Sequence, residues 1–221
     1  MATLFDITLP LRDALAPWPG DTAFHYKRTW EMSAGAAVNV GAVTMGVHNG
    51  THADAPCHFR AEGVAIDALP LEIFCGPAVV LDLSARRVGD PCASIGLPEL
   101  EPAVADLARA PRLLLKTGAW PDSAHFPPCI PVVAPDVPAW LGAHGVILLG
   151  LDVPSVDAVD SKTMENHHAL FHAGVSILES LDLRAVPAGV YELIALPLKI
   201  VGSDAAPVRA VLRTLPPFQS A

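Results

Sequence analysis

A mixed α/β fold in which strands predominate is predicted by three features of the sequence. Short apolar or alternating runs are bounded by Pro and Gly, a few segments carry helical spacing, and no regular βαβ alternation is present. In chain order, Leu4–Leu9 and Val38–Val47 read as strands, followed by Ala78–Leu83. Pro98–Arg109 places Leu100, Val104 and Leu107 at helical spacing, and Arg112–Thr117 returns to a strand. Pro135–Ala143 reads as a short helix and Val146–Leu151 as an apolar strand. Thr163–Ala173 is compatible with a helix that stops near Gly174, since glycine accepts the left-handed conformation that ends helices. Val190–Leu196 and Pro207–Leu215 complete the strands. No G-x-G-x-x-G follows the first strand, which argues against a dinucleotide-binding fold.

The 221 residues suit one continuous domain, 1–221, because the 22 Pro and 16 Gly are spread as turns and not gathered in a linker. A composition 52% hydrophobic and 17% charged excludes a disordered chain, and no apolar run is long enough for a membrane helix. The net charge of −9 provides no electrostatic footprint for nucleic acid or an anionic membrane surface, so small molecules or proteins are the expected partners. The N-terminal segment Met1–Asp6 lacks the basic and apolar regions of an export signal, and a cytoplasmic location is expected. Cys57, Cys75, Cys92 and Cys129 form no C-x-x-C pair and read as free thiols.

Six of the nine histidines fall in two windows. In the first, His48, His52, Asp54 and His58 lie within eleven residues, a density of imidazole and carboxylate suited to a divalent metal. A straight strand would hold His48 and His58 about 33 Å apart, so one centre requires a turn, with Gly50 and Pro56 as the means. In the second window, His167, His168, His172 and Glu179 offer further ligand atoms. An unbroken helix would separate His167 from Glu179 by about 18 Å, so their joint use requires the break at Gly174. Nothing singles out His168 or His172, which read as surface or packing imidazoles. Asp152, Ser155 and Asp157 follow a strand, where a site loop and turn or capping roles are both open, and Lys116-Thr117-Gly118 reads as a solvated strand end.

The first window matches the pattern H-x-G-T-H-x-D-x-P-x-H through His48, Gly50, Thr51, His52, Asp54, Pro56 and His58. On this motif the chain resembles the metal-dependent cyclase-family hydrolases, and within them the bacterial kynurenine formamidases. The resemblance extends over nearly the whole chain through Pro17-Trp18-Pro19-Gly20-Asp21, the segment Gly150 to Asp157, the segment His167 to Glu179, Tyr191-Glu192-Leu193 and Pro197-Leu198-Lys199. It implies a single β-rich domain with a central barrel-like or sandwiched mixed sheet and a few flanking helices, the cyclase-like swivelling fold, assembled as a homodimer. It also implies two divalent metal ions per subunit, with zinc suited to the nitrogen and oxygen ligands. In that scheme His48 and His52 bind the first metal with Asp54, Asp54 bridges to the second, His167 binds the second, and Glu179 bridges both. His58 is then the general acid/base and Trp18 faces an aromatic substrate, while Cys57 occupies a variable position of the motif.

The activity implied is hydrolysis of N-formyl-L-kynurenine to L-kynurenine and formate, in tryptophan degradation. Two alternatives stay open at this stage: a related amidohydrolase acting on a cyclic amide such as isatin, and a non-catalytic metal-binding module.

Overall fold

The computed structural model describes residues 2–215; Met1, where the N-terminal segment considered above begins, and residues 216–221 lie outside the described residues. Eleven strands form among the described residues: β1 (Leu4–Asp6), β2 (His25–Trp30), β3 (Val40–Thr44), β4 (His52–Asp54), β5 (Cys75–Asp82), β6 (Arg112–Lys116), β7 (Leu148–Leu151), β8 (Ser176–Glu179), β9 (Gly189–Ile194), β10 (Ala205–Pro207) and β11 (Val211–Thr214). Nine of them make one mixed sheet in the order β1-β11-β9-β5-β6-β7-β8-β4-β10, and β2 pairs with β3 as a separate ribbon. The central pairs β5–β6, β6–β7 and β7–β8 are parallel, and both flanks are antiparallel.

The connection between β10 and β11 forces the sheet to curl. These strands stand ninth and second in the order, a separation of roughly 34 Å across a flat sheet at ordinary strand spacing. Only residues 208–210 join them, a reach of roughly 14 Å. The sheet is accordingly a half-barrel with few helices, the architecture that the resemblance implied. The two faces of the central strands β5 to β8 serve different cores. Leu113 and Leu115 join a cluster with Leu141 and Leu170 of the helices α3 (Val137–Ala143) and α4 (Glu165–His172) and with Leu100 and Leu107 of α1 (Leu97–Leu100) and α2 (Val104–Leu107). Leu114 between them joins Phe74, Val80, Leu178 and Leu193 on the opposite face. This is the two-residue alternation of a strand expressed as two hydrophobic cores.

Several sequence expectations are corrected. The helix expected over Pro98–Arg109 is divided into α1 and α2 by a 3-10 turn at Glu101–Ala103, because Pro102 has no N–H to donate and its ring crowds the preceding turn. The strand expected over Pro207–Leu215 is β11 alone, and β10 meets the expected range only at Pro207, with the crossing at 208–210 between them. Strands β2, β4 and β8 were not anticipated. Cys92 and Cys129 are a disulfide pair with Cα atoms 5.7 Å apart, in place of two free thiols. The backbone pairing of Ile95 with Val132 and Ala134 draws their segments together. Cys57 and Cys75 are free. No helix of the described residues is long and apolar enough to cross a membrane.

Leu114 is fully buried in the middle of the sheet. Leu114→Ala removes atoms that its neighbours cannot replace and is expected to lower stability by about 2–5 kcal/mol, read from urea denaturation midpoints at constant slope.

Candidate active site

Local backbone geometry folds the histidine-rich segment back on itself. Gly50 adopts φ +67°, a left-handed conformation that glycine enters without the penalty a Cβ imposes. β4 then runs for three residues, and Pro56–His58 forms a 3-10 turn that returns His58 to His48, with ring centroids 4.1 Å apart. On the other side, α4 carries His167, and Gly174 at φ +74° reverses the chain into β8. Antiparallel pairing of β4 with β8 sets His52 opposite Glu179, and pairing of β4 with β10 sets Asp54 opposite Ala205.

The result is two imidazole groups joined by two carboxylates. Oδ1 of Asp54 lies 3.2 Å from His48 Nδ1 and 3.3 Å from His52 Nε2, while its Oδ2 lies 3.3 Å from His167 Nε2. Glu179 repeats the pattern, with Oε2 3.4 Å from His52 Nε2 and Oε1 3.8 Å from His167 Nε2. Outer contacts turn these rings inward. Nδ1 of His52 faces the Gly50 carbonyl at 2.9 Å, and Nδ1 of His167 faces Asp157 Oδ2 at 2.6 Å, which leaves Nε2 of each ring for the carboxylates. Asp157 also accepts the backbone N–H groups of Asn166 and His167 at the start of α4.

Both Asp54 oxygens and His52 Nε2 are buried without a hydrogen-bond partner among the described residues. Leaving such atoms unsatisfied is costly, and a clustered set of them implies a missing partner. The sets His48/His52/Asp54 and Asp54/His167/Glu179 each bring their ligand atoms within 4.8 Å of one another and share Asp54. Imidazole nitrogen and carboxylate oxygen at this density fit divalent cations.

The electrostatics agree. Burial alone would depress His52 and His167, but the surrounding carboxylates outweigh it: Asp54 and Glu179 raise His52 to about 10, and Asp157, Asp54 and Glu179 raise His167 to about 10. Asp54 is held well below the usual carboxylate value despite burial, because His167, His48 and His52 surround it. Burial and the Asp54 charge push Glu179 up. His58 differs in kind: burial takes it below the ordinary imidazole value in spite of Asp54, and its side chain remains 28% exposed.

The centre opens into a cavity of about 370 Å³ whose aromatic wall combines Trp18, Trp120 and Phe126. The Trp18 and Phe126 rings meet edge to face at 5.1 Å. All seven residues expected at the site are therefore within one region: His48, His52, His58, His167, Glu179 and Trp18 line the cavity, and Asp54 lies beneath them. His168 packs against Phe59 and His172 is exposed, outside the cluster. Trp120, Phe126, Met164 and Asp204 are site neighbours that the sequence reading did not select. An aromatic next to proline, as in Trp120-Pro121 and Phe126-Pro127, is the signal shared with Trp18 that marks two of them. Ser155 lines the cavity, whereas Asp152 is structural, accepting the Thr117 and Gly118 backbone N–H groups. Lys116 pairs with Asp82 at 3.0 Å and is not a free strand-end cation.

A family model whose description reads "Putative cyclase" matches residues 5–158. The chain belongs to this cyclase family. It is 44% identical over 210 residues to a kynurenine formamidase of Geobacillus thermodenitrificans, covering 95% of this chain and 97% of that protein. Among solved structures, the cyclase-family chain is similar to isatin hydrolase A from Ralstonia solanacearum, with a TM-score of 0.81, 25% identity, and coverage of 97% of this chain and 92% of that one. It is also similar to a protein described as a "predicted metal-dependent hydrolase" from Bacillus stearothermophilus, with a TM-score of 0.78, 30% identity, and coverage of 97% and 100%.

The raised imidazoles set a pH dependence. His52 and His167 hold protons in the folded protein up to about pH 10, against an ordinary value of 6.5, so their stabilisation is complete below about pH 6.5 and is lost as pH rises through about 10. Thermal melts of the chelator-treated protein are expected to show Tm falling steadily across that window.

Proposed function

We propose that the protein is an arylformamidase that hydrolyses N-formyl-L-kynurenine to L-kynurenine and formate. The observation that carries this reading is the pair of buried carboxylates, each offering one oxygen to either imidazole group, beneath an aromatic-walled cavity. The 44% identity to a kynurenine formamidase over almost the full length of both chains supports the choice of substrate.

His48, His52 and Asp54 would hold one divalent cation, and His167, Asp54 and Glu179 a second, with zinc the metal proposed for these nitrogen and oxygen ligands. Bound there, divalent cations make a water more acidic and withdraw electrons from a carbonyl. The remaining steps belong to the chain. Trp18, Trp120 and Phe126 hold the aryl ring and exclude water from that side of the cavity. His58, lowered toward the range where imidazole is neutral, accepts a proton from the water that adds to the formyl carbon. The C–N bond then breaks, the formyl carbon leaves as formate, and His58 returns the proton to the aniline nitrogen. Asp157 keeps His167 turned toward the centre through its Nδ1 contact.

A second reading, hydrolysis of a cyclic amide, is favoured by the TM-score of 0.81 to an isatin hydrolase. Formate release from N-formyl-L-kynurenine at a kcat/KM well above that for ring opening of isatin, abolished by a chelator and restored by zinc, is the expected result; the reverse preference would select the second reading. His58→Ala is expected to retain metal and lose about 10²- to 10⁴-fold in kcat, whereas Asp54→Ala loses metal as well, and metal analysis of both variants beside their rates separates these outcomes.

A homodimer is part of the same proposal. Tyr26, Trp30, Val40 and Val43 of the β2–β3 ribbon are exposed apolar side chains, the kind of surface that association covers. Sedimentation equilibrium is expected to give twice the chain mass of 23.2 kDa.

A further inference from the structure

Asp204 immediately precedes β10 and has no role in the scheme above. One of its oxygens, Oδ2, lies 3.0 Å from His48 Nε2 and 3.5 Å from His58 Nδ1. A single carboxylate oxygen is thus hydrogen-bonded to a proposed metal ligand and within ion-pair distance of the proposed acid/base. Its position is fixed by backbone bonds on both sides. The Asp204 carbonyl accepts the Ala55 N–H at 2.9 Å, continuing the β4–β10 ladder, and the Ser203 carbonyl accepts Ile66 N–H at 2.9 Å. Gly202, at φ +77°, donates its N–H to Asp67 Oδ1 at 2.9 Å. The carboxylate therefore sits at the end of a paired strand, where side chains are held more exactly than on a free loop.

We propose that Asp204 is a positioning residue that holds the His58 ring by its Nδ1–H, so that Nε2 is the nitrogen that exchanges protons with the substrate. An imidazole needs its second nitrogen anchored to present the other in one tautomer and one orientation. The ligand atoms of His48, His58 and Asp204 also come within 4.8 Å of one another, so a metal-binding role for Asp204 has to be weighed. Burial decides against it. The Asp204 side chain is 47% exposed, whereas Asp54 and Glu179 are 2% and 4% exposed, and the oxygens left without partners belong to Asp54.

This inference rests on the formamidase reading for its kinetic test and on geometry alone for its spectroscopic one. Nitrogen-15 NMR of the zinc-loaded protein is expected to show His58 as the Nδ1–H tautomer. Asp204→Ala is expected to shift it to a mixture, and Asp204→Asn, which keeps an acceptor oxygen, to restore it. At saturating zinc, Asp204→Ala should lower kcat for an N-formyl aryl amide by about 10- to 100-fold. The loss should be smaller for the corresponding aryl formate ester, which still uses His58 to take the proton of the water but whose phenolate departs without the proton that an aniline requires. Equal losses on amide and ester, an unchanged His58 tautomer in Asp204→Ala, or loss of zinc from that variant at saturation would each overturn the proposal. A wild-type enzyme that opens isatin but leaves the formyl amide intact would instead overturn the formamidase reading, and the tautomer measurement would still decide the role of Asp204.

Discussion

Two carboxylates buried side by side constrain the rest of the structure. Asp54 and Glu179 are almost wholly removed from solvent, and their charges repel one another. Such a pair survives only when positive charge and donors are packed around it. His48, His52 and His167 supply part of that surrounding, with both Asp54 oxygens still lacking a hydrogen-bond partner among the described residues, and the backbone is arranged to deliver these side chains. β4 exists to set His52 and Asp54 between β8 and β10, α4 starts where Asp157 can hold His167, and glycines stand where the chain must reverse.

The legible part of the fold was its hydrophobic framework. β5, β6, β7 and β9 bury apolar side chains, and that burial writes a pattern into the sequence. β4 could not be seen in the same way, because its inward side chains are an imidazole and a carboxylate, and its three residues acquire strand character from their neighbours. β8 was hidden behind the reversal at Gly174, although the need for that reversal followed from the distance between His167 and Glu179. β2 and β3 are exposed on both faces, so no alternation marks them as a pair.

The site followed the same division. Its ligand-rich segment was legible because imidazoles and a carboxylate are dense along the chain, and the resemblance then carried the assignment to His167, Glu179 and Trp18. Asp204 and Phe126 were not legible, since no local feature relates them to His58 or Trp18 and topology alone makes them neighbours. The same is true of Cys92 and Cys129, whose spacing says nothing until the pairing around Ile95 brings their segments together.

The ladder between β4 and β8 has a consequence for synthesis. Thr51 and Ser180, joined by a hydrogen bond beside the centre, are 129 residues apart in the chain. A ribosome must deliver β8 before the carboxylate pair can form, and β10 after it before Asp204 reaches His58. An emerging chain that carries only the histidine-rich segment has three imidazoles and one aspartate but no enclosed centre. On the ligand set proposed above, metal capture is thereby tied to synthesis through β8, and a chain that stops before it lacks Glu179.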